Sequence, residues 1–238
     1  MSEGSAPASP ARKFGDPPSA ANWGAGVAAL GALGAIFAGV FLGIPVIAIE
    51  PEVGTDDASA AANIALQVAT VAGFLIVPIL IATKGDLSTN WTTLRQRLGI
   101  TGFAAKDLGW ALLAYVAYLI FAGIYAQLVG VPEQDDIADF FGPIGMQVLL
   151  IVVAASISEE ICFRGMLYGG LRTDMGPIPA ALISGLIFGA LHALTGLSAV
   201  PVLIALGIAL ALLFEKTGSI VPGIILHAVN NALALLVA

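Results

Sequence analysis

Long runs of apolar residues, separated by short polar loops, dominate this chain. A helix needs about 20 consecutive apolar residues to cross a bilayer. Seven stretches approach that length: 24–48, 64–83, 108–128, 145–167, 178–194, 199–214 and 219–237. The pattern predicts an all-α, polytopic membrane bundle of about seven transmembrane helices. The first three runs are unbroken. The fourth carries charges. The fifth and sixth are short and joined by "TGLS", which predicts a tight helical hairpin. Within the fifth, "GLIFG" places Gly185 and Gly189 at the small-residue spacing that lets helices approach closely.

Composition strengthens this reading. The 238 residues are 58% hydrophobic and 11% charged, with mean hydropathy +0.97, against about 25% charged in an ordinary soluble domain. So much apolar surface does not fit inside one soluble core of this size. A formal charge of -7 and the lack of a basic patch or a nucleotide-binding glycine motif argue against nucleic acid as a partner. Cys162 is the single cysteine, so an intrachain disulfide and a multi-cysteine zinc site are both excluded.

Loop charges give an orientation. Arg12 and Lys13 precede the first run; Glu50, Glu52, Asp56 and Asp57 follow it. Lys84, Arg95, Arg97 and Lys106 follow the second; Glu133, Asp135, Asp136 and Asp139 follow the third. Arg164, Arg172 and Lys216 return to the first side. The positive-inside rule makes the basic side cytoplasmic, with the N-terminus in and the C-terminus out. Trp23, Trp91 and Trp110 flank that surface as interfacial aromatics. The chain divides into a disordered Ser-, Pro- and Ala-rich cytoplasmic tail at 1–23, N-terminal transmembrane helices with an interfacial loop at 24–142, and a helical unit at 143–238. The first run reads as a retained anchor, and 85–107 as the place for a short surface helix. Arg172 and Asp174 are expected as solvated surface charge, Met166 and Tyr168 as packing and interface residues.

Polar side chains inside spans are few and costly: Glu159, Glu160 and Arg164 in the fourth, His192 in the fifth, His227, Asn230 and Asn231 in the seventh. Glu160 and Arg164 are four apart on one helical face and can neutralise each other. Glu159 points about 100° away and is left to face something else. His227 and Asn231 share a face; Asn230 does not. Each feature alone has a plain structural account, as a helix-tying ion pair or an interhelical hydrogen bond. Their concentration in the last third of the chain does not.

Three motifs carry a resemblance. "EEICFR" (Glu159, Glu160, Arg164), "FGALH" (Phe188, His192) and "HAVNN" (His227, Asn231) follow in order on successive helices. Over about 145–237 the chain resembles the CPBP intramembrane proteases, which include the type II CAAX prenyl endopeptidases and bacterial relatives linked to bacteriocin processing and immunity. The resemblance implies an intramembrane endopeptidase acting on membrane-associated or lipidated peptides, with Glu159 and His192 activating a water and His227 and Asn231 polarising the carbonyl. It implies Glu160 and Arg164 as a structural pair, Phe188 as support, and no cofactor. A divalent metal such as zinc remains an alternative, with Glu159, His192 and His227 as its ligands, although no His-Glu-x-x-His run is present. The rival functions are a proton- or ion-coupled transporter and a non-proteolytic immunity or scaffold role. Substrate identity and oligomeric state leave no mark in the sequence.

Overall fold

The computed structural model describes residues 13–55, 57–132 and 138–237. Helices are its only regular elements among the described residues, and eight of them order the chain: α1 Ala25–Ile49, α2 Ala60–Thr83, α3 Trp91–Arg97, α4 Ala105–Leu128, α5 Ile144–Asp174, α6 Pro177–Leu191, α7 Val200–Thr217 and α8 Val221–Val237. Five of them (α1, α2, α4, α5 and α7, the last counted from Leu197) are long and apolar enough to cross a membrane, while α6 and α8 are shorter apolar helices. In lipid the backbone must satisfy its own hydrogen bonds, which is why apolar runs of this length fold as helices.

Local chemistry sets the ends. Ser59 accepts from Ala62 N to start α2, and Asn90 accepts from Thr93 N to start α3. Pro177 opens α6, where its missing N–H costs nothing. Gly218, at φ 71°, closes α7 in the left-handed conformation that glycine tolerates. α1 borrows its cap: Asp174, at the far end of α5, accepts from Ala25 N at 2.6 Å.

Packing follows small residues. A Cβ at Gly73 of α2 would lie 2.5 Å from Ala35 O of α1. The expected hairpin forms from α6 and α7, and "GLIFG" is its contact strip. A Cβ at Gly185 would come 2.8 Å from Ile208 N, so the two backbones touch. The core around α5 is aromatic: Phe163 packs edge-on against Phe74 at 5.6 Å and against Phe188 at 5.3 Å.

Two stretches of α5, Val148–Ala155 and Glu160–Tyr168, are π-helical. Gly169 N, for example, bonds Arg164 O five residues back. α5 also runs past the expected end at 167, so Arg172 belongs to the same helix as the glutamates. α6 stops at Leu191, leaving His192 in a one-turn segment, His192–Leu194.

The tail expectation is corrected in part. Residues 1–12, Asp56 and residues 133–137 lie outside the described residues, and with them the loop charges Arg12, Glu133, Asp135 and Asp136. Residues 13–23, expected to be loose, are docked. Ala20 N bonds Gln96 O, and Gly15 is held through both its N–H and its C=O. Trp23 is not an interfacial aromatic; it is 7% exposed and donates to Met166 O at 2.9 Å. Backbone hydrogen bonding and one indole override a composition that reads as disordered.

Many contacts join the ends that the span alternation places on one side. Asp174 reaches the start of α1, Arg97 donates to Ala82 O at the end of α2, and Ile220 N bonds Gly99 O. Lys216 at the end of α7 lies over Trp110 near the start of α4.

Candidate active site

α5 carries the centre of the site. Glu160 is 1% exposed and Arg164 is fully buried, and Arg164 Nη1 donates to Glu160 Oε1 at 2.8 Å. This is the i,i+4 pair that the spacing predicts. Arg164 also donates to Gly207 O of α7 at 3.1 Å, and its guanidinium lies 4.5 Å from the Phe188 ring centroid. That cation–π contact covers a face that hydrogen bonds leave alone.

His227 of α8 closes the arrangement. Its Nδ1 lies 3.1 Å from Glu160 Oε1, and its Nε2 lies 3.7 Å from Glu159 Oε2. One buried imidazole therefore stands between two carboxylates. Ionised carboxylates only accept hydrogen bonds. Glu160 faces Nδ1 and Glu159 faces Nε2, each placed to accept from the nitrogen that carries a proton. Glu159 keeps 17% of its side-chain surface exposed, more than any other member of this cluster.

His192 is placed differently. Its Nδ1 meets Phe188 O at 2.9 Å and its ring lies 4.9 Å from the Phe188 ring. Phe188 in turn meets His227 edge-on at 5.7 Å. The two histidines thus flank one phenylalanine. Among the described residues no hydrogen bond or ion pair joins His192 to either glutamate. Asn231 turns toward α5 and donates to Ile151 O at 3.1 Å and to Ser156 Oγ at 3.2 Å. Glu159, Glu160, Arg164, Phe188 and His227 are brought together; His192 joins through Phe188, and Asn231 through Ser156. Ser156, fully buried, has no signal in the sequence, since a serine within an apolar run reads as packing.

A second polar cluster lies further along α5. Arg172 makes a two-pronged pair with Glu215 of α7, from Nε at 2.9 Å and from Nη2 at 3.1 Å. Tyr168 donates its hydroxyl to Glu215 Oε2 at 2.8 Å. Arg172 also donates to Met175 O and Gly15 O, and Gly15 N donates to Glu215 Oε1. Arg172 is thus buried and paired, not solvated charge, and Tyr168 is fully buried. Asp174 is exposed, as expected, and also caps α1. Glu215 escapes sequence reasoning because it adjoins Lys216 at the end of an apolar run, where a charge reads as interfacial.

Among the described residues no three His, Cys, Asp or Glu side chains gather as a metal site. The set Glu159, His192 and His227 does not fit a single ion in this arrangement.

Comparison with known proteins bears on the same region. Residues 142–233 match the family model "Type II CAAX prenyl endopeptidase Rce1-like". This agrees with the resemblance carried by the three motifs. The chain is 26% identical over 135 residues to a Bacillus subtilis (strain 168) protein described as "Putative membrane peptidase YdiL". That alignment covers 53% of this chain and 54% of the relative, so the chain spans about half the length of the curated relative it matches. No solved structure matches.

Proposed function

Taking residues 142–233 as a CPBP-type, Rce1-like segment, we propose that the protein is an intramembrane endopeptidase that cleaves membrane-associated or lipidated peptides with a glutamate-activated water. The observation that carries this reading is His227 set between Glu160 at 3.1 Å and the partly open Glu159 at 3.7 Å. A carboxylate beside an imidazole in a water-poor site can take a proton from water and pass it on.

In this mechanism Glu159 removes a proton from water as the oxygen bonds to the scissile carbonyl carbon. The carbonyl π electrons move to oxygen and form a tetrahedral oxyanion. His192 helps to hold the water, and His227 and Asn231 donate to the oxyanion. Collapse breaks the C–N bond, and the proton held by Glu159 goes to the leaving nitrogen. Glu160 and Arg164 position His227 and take no proton. The chemistry uses side chains alone, with no cofactor.

The site opens toward the basic, cytoplasmic side of the membrane. A reporter fused after residue 238 is expected to read as non-cytoplasmic and one inserted within 85–107 as cytoplasmic; the reverse at both positions overturns the orientation. Proteomics of host membranes tests the function: peptides that are cut in the wild type accumulate uncut with Glu159→Gln. Identical peptide profiles at equal expression would count against proteolysis, and would favour transport or a scaffold role.

A further inference from the structure

A groove of about 680 Å³ runs between α4 and α7, and none of its lining residues belongs to either polar cluster. α4 lines it from Trp110 to Phe121 and α7 from Ala205 to Lys216, with Phe14 also in the wall. Eleven residues of helix rise about 16 Å. Half of a bilayer's hydrocarbon core is about 15 Å. The groove is therefore as long as one leaflet is deep.

Its polarity is graded along that length. Apart from the Tyr118 hydroxyl, the wall is hydrocarbon and aromatic ring except at one end, where Lys216 places its ammonium 4.4 Å from the Trp110 ring. Lys216 is exposed, and its partner is a ring face, so its charge is not neutralised by a carboxylate there. Lys106 stands four residues before Trp110 on the same face of α4. Lys13 adjoins Phe14 in the docked N-terminal segment. An indole and cations at the polar end, above an apolar trough, match the layering of a lipid headgroup over its chain.

We infer that this groove is a binding site for one anionic phospholipid, its acyl chain between α4 and α7 and its phosphate on Lys216. The lipid comes from the leaflet on the basic side of the bundle. A lipidated substrate is a weaker occupant, because no lining residue is a member of the Glu159–His227 cluster. The inference stands apart from the protease reading and survives its failure.

The test uses full-length protein in phosphatidylcholine vesicles doped with phospholipid brominated on its acyl chains. Bromine quenches nearby tryptophan, and the Trp110 share is the difference between wild type and Trp110→Phe. The expected result is Trp110 quenching by brominated phosphatidylglycerol at about fivefold lower mole fraction than by brominated phosphatidylcholine, the preference one cation at the surface supplies. Lys216→Gln, an exposed change, should reduce that preference to near unity, while Lys84→Gln leaves it intact. Equal quenching by the two lipids overturns the proposal. So does a preference that persists in Lys216→Gln, and so does absence of Trp110 quenching by either lipid, which would mean that a second copy or another partner covers the groove.

Discussion

Two buried carboxylate–guanidinium pairs draw their arginines from α5, and they are built to different ends. At Arg172 and Glu215 the donors and acceptors are matched by one another, by Tyr168, and by backbone groups of Met175 and Gly15. At Glu160 and Arg164 the pair is equally dry, but Arg164 Nε has no hydrogen-bond partner among the described residues. There the neighbouring His227 is turned toward a second, partly open carboxylate at 3.7 Å. The first cluster ties three chain segments together. The second leaves Glu159 partly open beside an imidazole, the arrangement that the proposed reaction requires. A buried pair is weak evidence for stability by itself; what surrounds it decides whether it is a tie or a tool.

The largest expected effect separates the two at Glu159. Glu159→Gln keeps the shape and removes the base, and should lower cleavage of a membrane peptide by about 10²–10⁴-fold, the usual contribution of general acid–base catalysis. Thermal unfolding should stay unchanged, because no cation is stranded. Should this variant unfold while Glu160→Gln stays folded and inactive, the roles of the two glutamates are swapped.

Glu160→Gln is expected to act on both properties. It leaves Arg164 buried without its anion, a loss of about 3–5 kcal/mol for such pairs. Detergent-solubilised yield and melting temperature should both fall. Adding Arg164→Gln should restore part of the folding but not the activity, since His227 still lacks its carboxylate.

Arg172→Gln sharpens the contrast from the other side. It should lower stability in the same way, with specific activity per folded molecule within about twofold of wild type, as expected for a site removed from the chemistry. Arg172→Gln with Glu215→Gln should be more stable than Arg172→Gln alone. A large drop in specific activity would show that the end cluster also shapes the reaction site.

How much of this could be read from the sequence follows from the range of each interaction. The spans were legible because apolar length is a local property. So was the Glu160–Arg164 pair, because four residues along a helix fix a common face. Glu215 was not legible, since its burial depends on α5, α7 and Gly15 meeting. Residues 13–23 were misread for the same reason: the groups of Gly15 that dock are backbone, and composition says nothing about them. The position of His227 between Glu159 and Glu160, and the turn of Asn231 toward Ile151 and Ser156, depend on how α8 lies against α5. No spacing within either helix encodes that.

The wide turns of α5 have a consequence for how this helix tolerates length change. A π turn holds one residue more than an α turn and occurs mostly as a single wide turn inside an α-helix. The stretch Glu160–Tyr168 therefore acts as a phase shifter between the two clusters. Rewinding that stretch to α geometry with every residue kept would swing everything beyond it by about 100°. Arg172 would leave Glu215 while Glu159 and Glu160 kept their places. The angular offset between reaction site and anchor is thus stored in the winding of one helix, and a single-residue deletion that rewinds the π turn is a shortening, not a rotation.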